Sequence, residues 1–187
     1  MHDSPIELPT DDRFWDEWRL LLALFDASSI VWIGDRWDTG KPRHAANLKP
    51  AGDWLLQMAP MTYEHISPCV YKPGSYSRCN ANIICRKFLV VESDDLDYNQ
   101  VGAIFKWLKD AVRLRLRAVT FTGGKSLHGW FDMPPAHIHD QLEIVLPELQ
   151  CDPAMFRLGQ ISRLPGVIRR DTDDIQALLY FDGENHE

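Results

Sequence analysis

The amino-acid sequence predicts one mixed α+β domain, and the order of its elements leaves an α/β arrangement as the alternative. The chain has 187 residues, the length of a single domain, and 45% of them are hydrophobic, which is enough for a substantial core. Segments with apolar residues at helical spacing alternate with short, continuous apolar runs. The composition excludes disordered, collagen-like and coiled-coil proteins.

The N-terminal half begins with a predicted helix over residues 11–27, because a capping signal at Thr10-Asp11-Asp12 precedes apolar residues at helical spacing. Ile30-Val31-Trp32-Ile33 is a short apolar run that Gly34 ends, which is typical of a buried strand. The remaining predictions for this half are a long loop over 35–49, a short helix from Trp54 to Met58 and a strand over 68–71.

The C-terminal half is predicted to alternate strands with two longer helices. Phe88-Leu89-Val90-Val91 is a continuous apolar run of β type, and the apolar residues of 101–112 then lie on one helical face. Gly123-Gly124 interrupts the next extended region. The remaining predictions are strands over 118–122 and 127–131, a helix over 137–149, a loop around Pro165-Gly166 and a last strand over 176–181.

The charge of the chain is unevenly distributed. The formal net charge of −7 argues against general affinity for polyanions. Residues 1–77 hold 11 acids and 7 bases, residues 78–128 hold 5 and 9, and residues 129–187 hold 11 and 4. The basic middle is compatible with a phosphate-facing groove, and equally with a solvated helix face.

The sequence predicts a cytoplasmic protein with free thiols. No apolar run approaches the roughly 20 residues that span a bilayer, and the N-terminus lacks signal-peptide features. The four cysteines lack the paired spacing of a disulfide framework or of a zinc site. A zinc site formed with His65 is therefore the weaker interpretation.

An acidic pair follows the apolar run that ends at Val91. Side chains two apart on a strand share a face, so Glu92 and Asp94 are expected to point together. Adjacent carboxylates repel unless they share a cation, and oxygen ligands suit Mg²⁺ or Mn²⁺. The alternative is solvated acids at a strand end, to which we assign Asp95 and Asp97, with a capping role for the latter.

The turn Gly123-Gly124-Lys125-Ser126-Leu127-His128 combines backbone amides, a cation, a hydroxyl and an imidazole, as recognition of a triphosphate requires. It is not an NTPase phosphate-binding loop, because Val119 stands where that motif needs glycine. A serine nucleophile is a weak alternative without the G-x-S-x-G pattern.

A third group combines Asp152 with the arginine-rich segment 161–170. Arginine forks bind phosphate oxygens, and Arg163 precedes the rigid Leu164-Pro165-Gly166 turn. The alternative for each arginine of the segment is an ion pair with one of the nearby acids.

Taken in order, these motifs resemble those of the archaeo-eukaryotic primase superfamily, in particular the small primase-polymerase domains of phages and plasmids. The resemblance runs from about residue 32 to residue 181. That family carries an acidic pair, a Ser-x-His and a later hydrophobic-Asp, here Glu92 with Asp94, Ser126 with His128, and Cys151-Asp152. The chain departs from the family at Glu92, where Asp is common, and at Cys151, where an aliphatic residue is usual.

The resemblance implies a DNA primase or primase-polymerase, a nucleotidyltransferase with an RRM-like mixed or antiparallel sheet flanked by helices. It implies one domain, with a helical part over 1–29 and a catalytic core over 30–187. Glu92, Asp94 and Asp152 would bind two Mg²⁺ or Mn²⁺ ions. The nucleotide phosphates would be held by Lys125, Ser126, His128 and Arg163.

The implied partners are a single-stranded DNA template, an NTP or dNTP, and a fused or separate helicase. Nucleic-acid contacts are expected from Arg78, Arg86 and Lys87, and base stacking from Trp32, Trp37 or Tyr76. The alternative function is a catalytically silent binding module that serves a helicase, and a metal-dependent nuclease is a second alternative.

Overall fold

The computed structural model describes residues 13–35, 46–57 and 61–182, without the side chain of Phe14. The helices are α1 (Asp16–Leu24), α2 (Ala51–Leu55), α3 (Tyr98–Asp110) and α4 (Ala136–Glu148). The strands are β1 (Ile30–Gly34), β2 (Leu48–Pro50), β3 (His65–Ile66), β4 (Cys69–Tyr71), β5 (Ile83–Arg86), β6 (Phe88–Val91), β7 (Leu116–Phe121), β8 (Leu127–Asp132), β9 (Ser162–Arg163), β10 (Ile168–Arg169), β11 (Asp174–Ile175) and β12 (Ala177–Phe181). Among the described residues, no helix combines the length and the hydropathy of a membrane span.

The predicted mixed α+β class is confirmed, and the sheets are antiparallel. A four-stranded sheet has the order β12-β7-β8-β6. A six-stranded sheet has the order β5-β4-β1-β3-β9, with β2 also paired to β1. The short strands β10 and β11 form a separate hairpin.

Strand β6 is buried on both faces although it lies at the edge of its sheet. Phe88 and Val90 join the core that contains α1 and β1, whereas Leu89 and Val91 join the core under α3 and α4. Burial on alternate faces explains why the strand is a continuous apolar run. This strand carries the acidic pair at its end.

The N-terminal helix begins later and ends earlier than predicted. A 3-10 turn over Arg13–Trp15 precedes α1, which ends at Leu24, and residues 11 and 12 lie outside the described residues. Asp16 is fully buried, and its Oδ2 accepts a hydrogen bond of 2.8 Å from the Leu178 backbone. This contact fixes α1 to strand β12.

Helix α3 begins with a capping box. The Asp97 carboxylate accepts from the backbone amides of Asn99 and Gln100, while the Gln100 side chain accepts from the Asp97 amide. The expected capping role of Asp97 is therefore confirmed. The helix start lies directly after the acidic segment, so it fixes that segment from its C-terminal side.

Candidate active site

The acidic residues Glu92 and Asp94 directly follow the end of β6 and flank a buried serine. Ser93 is fully buried, donates to the Gln150 carbonyl at 2.6 Å, and accepts from the amides of Asp95 and Leu96. These bonds fix the chain where the strand ends. Glu92 is half-buried and Asp94 is exposed.

Glu92 and His128 are cross-strand neighbours. Strands β6 and β8 are antiparallel with Val91 opposite Gly129, so the next position in register faces residue 128. Oε2 of Glu92 lies 2.7 Å from Nε2 of His128. The structure thus brings the first and second predicted motifs into direct contact.

Ser126 joins this pair from the glycine turn. Its Oγ lies 3.1 Å from the Thr122 hydroxyl and 3.5 Å from Oε2 of Glu92. Gly123 has a φ of +66°, in the left-handed region that favours glycine, and this conformation closes the turn. Lys125 at its tip is exposed.

The carboxyl group of Glu92 is held in its charged form. Burial alone would raise its pKa. The interaction with His128, the hydrogen bond of Ser126 and the charge of Arg163 outweigh burial, so the pKa lies below its usual range. An ionised carboxylate is the form that binds a cation.

The opposite edge of the imidazole is held by strand β9. Oγ of Ser162 lies 2.6 Å from Nδ1 of His128, and the Arg163 amide donates to the same atom at 3.4 Å. Both ring nitrogens therefore have partners. Only 5% of His128 is exposed.

Arg163 is paired with a buried acid. Its Nη1 donates to Oε2 of Glu64 at 2.7 Å, and Oε1 of Glu64 lies 3.4 Å from Nε of Arg170. Burial and the charge of Arg169 lower the pKa of Arg163, against the opposing effect of Glu64. The carboxylate of Glu64 thus orients two arginines beside the site.

Arg169 lies against the glycine turn. A Cβ atom on Gly124 would meet its Nη1 at 2.6 Å, so the missing side chain leaves room for the guanidinium. Asp171 binds that guanidinium at two atoms, 2.5 and 2.7 Å away. The hydrogen bond of Asp171 raises the pKa of Arg169, and the charge of Asp94 adds to this effect.

Asp152 lies beside Glu92 through the main chain. Its amide donates to the Glu92 carbonyl at 2.9 Å. Its side chain accepts from the Ala154 amide at 2.8 Å and caps a 3-10 turn over Pro153–Phe156. Residues from the first and third motifs therefore share one end of β6.

The carboxylates suit a divalent cation in their chemistry. Glu92, Asp94 and Asp152 supply hard oxygen atoms at this strand end. Within residues 13–35, 46–57 and 61–182, however, no three His, Cys, Asp or Glu side chains already form a metal-holding group. The Glu92 carboxylate contacts His128, and the Asp152 carboxylate accepts the hydrogen bond that caps the 3-10 turn.

Two residues predicted to contact nucleic acid are used internally instead. Arg86 is 8% exposed and donates to the carbonyl oxygens of Phe88, Met155 and Arg157. Trp32 is 1% exposed, so it cannot stack on a base. The prediction that Arg86 and Trp32 contact nucleic acid is therefore wrong.

The other predicted contact residues have different environments. The Arg78 guanidinium lies 4.6 Å from the centre of the Trp32 ring and donates to the Gly159 carbonyl. Lys87 forms a 3.3 Å ion pair with Asp26, which is on the surface. Tyr76 is 73% exposed, and Trp37 lies outside the described residues.

Three residues at the site were not singled out from the sequence. Glu64 carried no local signal, because its partners are distant in the chain. Ser162 and Arg169 lie in the arginine-rich segment, whose rigid turn was the one available signal. Their positions depend on the pairing of β3 with β9 and of β10 with β11.

Comparison with solved structures identifies the fold. The AEP domain of the primase-polymerase of cyanophage S-2L matches with a TM-score of 0.54 and 17% identity, over 96% of this chain and 95% of that one. The catalytic domain of the primase RepB′ in complex with initiator DNA matches with a TM-score of 0.52 and 19% identity, over 93% and 87%. No protein-family model and no curated protein sequence matches the chain.

The chain therefore has the fold of the archaeo-eukaryotic primase-polymerases, as the motif resemblance implied. A second structure of primase RepB′ agrees, with a TM-score of 0.54 and 16% identity, over 92% of this chain and 57% of that one.

Proposed function

We propose that this chain is a template-dependent nucleotidyltransferase that makes or extends primers on single-stranded DNA in a phage or plasmid replication system. The observation that carries the proposal is the 2.7 Å contact between Glu92 and His128. It joins an acidic strand end to an imidazole beside a glycine turn, on a fold shared with primases. Fold alone does not establish an activity, so the site has to support it.

Glu92, Asp94 and Asp152 would hold Mg²⁺ or Mn²⁺, two ions in the complete site. When bound, such ions lower the barrier by polarising the attacking hydroxyl and by neutralising the triphosphate. The low pKa of Glu92 keeps one ligand ionised. Exposed Asp94 remains accessible to an incoming ion.

The glycine turn and strand β9 would hold the nucleotide tail. Lys125 is exposed at the tip of the turn and can reach a phosphate in solution. The Ser126 hydroxyl and the His128 imidazole offer hydrogen-bond donors, and Arg163 contributes a fixed positive charge. Their role is positioning and charge stabilisation rather than proton transfer.

The template would contact the remaining basic and aromatic groups. Arg78 and Lys87 supply positive charge, and exposed Tyr76 offers a ring on which a base can stack. RepB′ was solved in complex with initiator DNA, which supports a DNA partner for this fold. A fused or separate helicase would complete the replication system.

Two other functions fit parts of the site. A silent binding module that acts with a helicase would keep the fold without needing the ionised Glu92. A metal-dependent nuclease would also use clustered carboxylates. The imidazole, hydroxyl and cation beside a glycine turn suit a triphosphate better than a phosphodiester, and this favours polymerisation.

Incorporation of labelled nucleotides on single-stranded DNA with Mg²⁺ or Mn²⁺ separates the three functions. We expect template-dependent products with either ribo- or deoxynucleotides. Shortening of the DNA strand would support a nuclease. Retarded DNA mobility without synthesis under all of these conditions would support the binding module.

A further inference from the structure

The imidazole of His128 is held between the two large sheets. His128 lies on β8 of the four-stranded sheet, and Ser162 lies on β9 of the six-stranded sheet. Oγ of Ser162 and Nδ1 of His128 are 2.6 Å apart. Ser162 is 1% exposed and His128 5%, so water has little access to this bond.

The contacts of Nδ1 determine which ring nitrogen carries hydrogen. The Arg163 amide points at Nδ1 from 3.4 Å, and a backbone N–H can only donate. Nδ1 therefore presents its lone pair, and the Ser162 hydroxyl donates to it as well. The hydrogen is then on Nε2, which donates to Oε2 of Glu92 at 2.7 Å.

We propose that Ser162 is a positioning residue that keeps the N–H of His128 on the side facing the nucleotide. This inference rests on the proposed function and names a further residue of the same site. A carboxylate that binds a cation can release His128, whereas Ser162 holds the ring from a different sheet. The ring then presents Nε2–H to a phosphate oxygen. The other tautomer, with hydrogen on Nδ1, would present the lone pair of Nε2 to the same oxygen and repel it.

Three substitutions separate positioning from packing. Ser162→Thr keeps the hydroxyl on a side chain that suits a strand. Ser162→Val introduces a side chain with nearly the same shape as threonine but without the hydroxyl. Ser162→Ala removes the hydroxyl without adding volume. If Ser162 only filled space, Ser162→Thr and Ser162→Val would have the same effect.

The first readout is the imidazole itself. Long-range ¹H–¹⁵N spectra of the ¹⁵N-labelled chain, near pH 8 and without metal, show which nitrogen of His128 carries hydrogen. We expect hydrogen on Nε2 in the wild type and in Ser162→Thr, and altered Nδ1 signals in Ser162→Val and Ser162→Ala. Hydrogen on Nδ1 in the wild type would overturn the inference.

The second readout is nucleotide incorporation. Loss of one buried hydrogen bond predicts a KM for nucleotide about fivefold to tenfold higher in Ser162→Val and Ser162→Ala than in Ser162→Thr. Equal ring signals and equal KM values for threonine and valine would overturn the inference. A wild type without incorporation would refute the proposed function, while the ring spectra would still decide the role of Ser162. Should the valine and alanine variants fail to fold, hydrogen on Nδ1 in the wild-type spectrum would still overturn the inference.

Discussion

Nε2 of His128 lies 2.7 Å from Oε2 of Glu92, across neighbouring antiparallel strands. The acidic strand end and the Ser-x-His turn therefore form one site. Glu92 is ionised there because its polar neighbours outweigh the cost of burial. The same contact explains how a buried histidine avoids an unsatisfied ring nitrogen.

Replacing Asp94 should remove activity without unfolding the protein. Asp94 is exposed, so its carboxylate contributes little to the core. We expect Asp94→Ala to incorporate nucleotide at less than about 1% of the wild-type rate, with an unchanged melting temperature. Exposed Asp95 provides the control, because Asp95→Ala removes the same charge and should remain active. Near-normal synthesis by Asp94→Ala would exclude Asp94 from the site.

Replacing His128 should weaken use of the nucleotide. We expect His128→Ala to raise the KM for nucleotide and to reduce kcat/KM by about 10²-fold, because a positioned hydrogen-bond donor is lost. His137 on α4 is exposed, and His137→Ala serves as the control in the same steady-state assay. A change confined to DNA affinity would show that the assigned role is wrong.

Arg86 should contribute to stability rather than to nucleic-acid binding. Its guanidinium donates to three carbonyl groups that would lose their partner. We expect Arg86→Ala to lower the free energy of unfolding by about 3 kcal/mol, measured by urea denaturation. Half-buried Lys87 is the neighbouring control, and Lys87→Ala should cost less than about 1 kcal/mol. Unchanged stability with weaker DNA binding in Arg86→Ala would contradict the structural role.

Glu17 should make stability depend on pH. Glu17 is fully buried, and burial raises its pKa from 4.5 to about 7, although the amides of Glu17 and Met61 partly oppose this effect. Neither carboxylate oxygen forms a hydrogen bond of normal geometry within the described residues. The folded state therefore holds a proton that the unfolded state has released, and stability falls as pH rises from 4.5 through 7.

Glu17→Gln has no carboxyl group at this position and should lack the pH dependence that Glu17 causes. The unfolding free energy of Glu17→Gln minus that of the wild type should rise by about 2 kcal/mol between about pH 5.5 and about pH 8.5. Urea denaturation at both pH values measures the difference. A difference that stays constant would show that Glu17 is ionised throughout.

The sequence predicts the long elements well and the short strands poorly. Strand β6 and helices α3 and α4 have apolar patterns that are long enough to reveal their periodicity. Strands β3, β9, β10 and β11 have two residues each, which is too short for any pattern. They form because distant segments pair, and β2 and β5 escaped prediction for the same reason.

The site could be predicted only in part. Glu92 and His128 belong to recognisable motifs, and the register of β6 with β8 brings them together. Arg86 looked like a nucleic-acid ligand because the sequence does not show that its guanidinium is buried. Ser162 acts through a contact between the two sheets, and Glu64 acts through a contact with a residue that is distant in the chain; no local pattern records either contact.

The most direct test is a crystal structure with Mn²⁺ and a non-hydrolysable nucleoside triphosphate, in which anomalous scattering locates the metal. We predict manganese bound by Glu92, Asp94 and Asp152, with Nε2 of His128 against the phosphate tail. Manganese and nucleotide at another surface, with the contact between Glu92 and His128 intact, would contradict the proposed polymerase site.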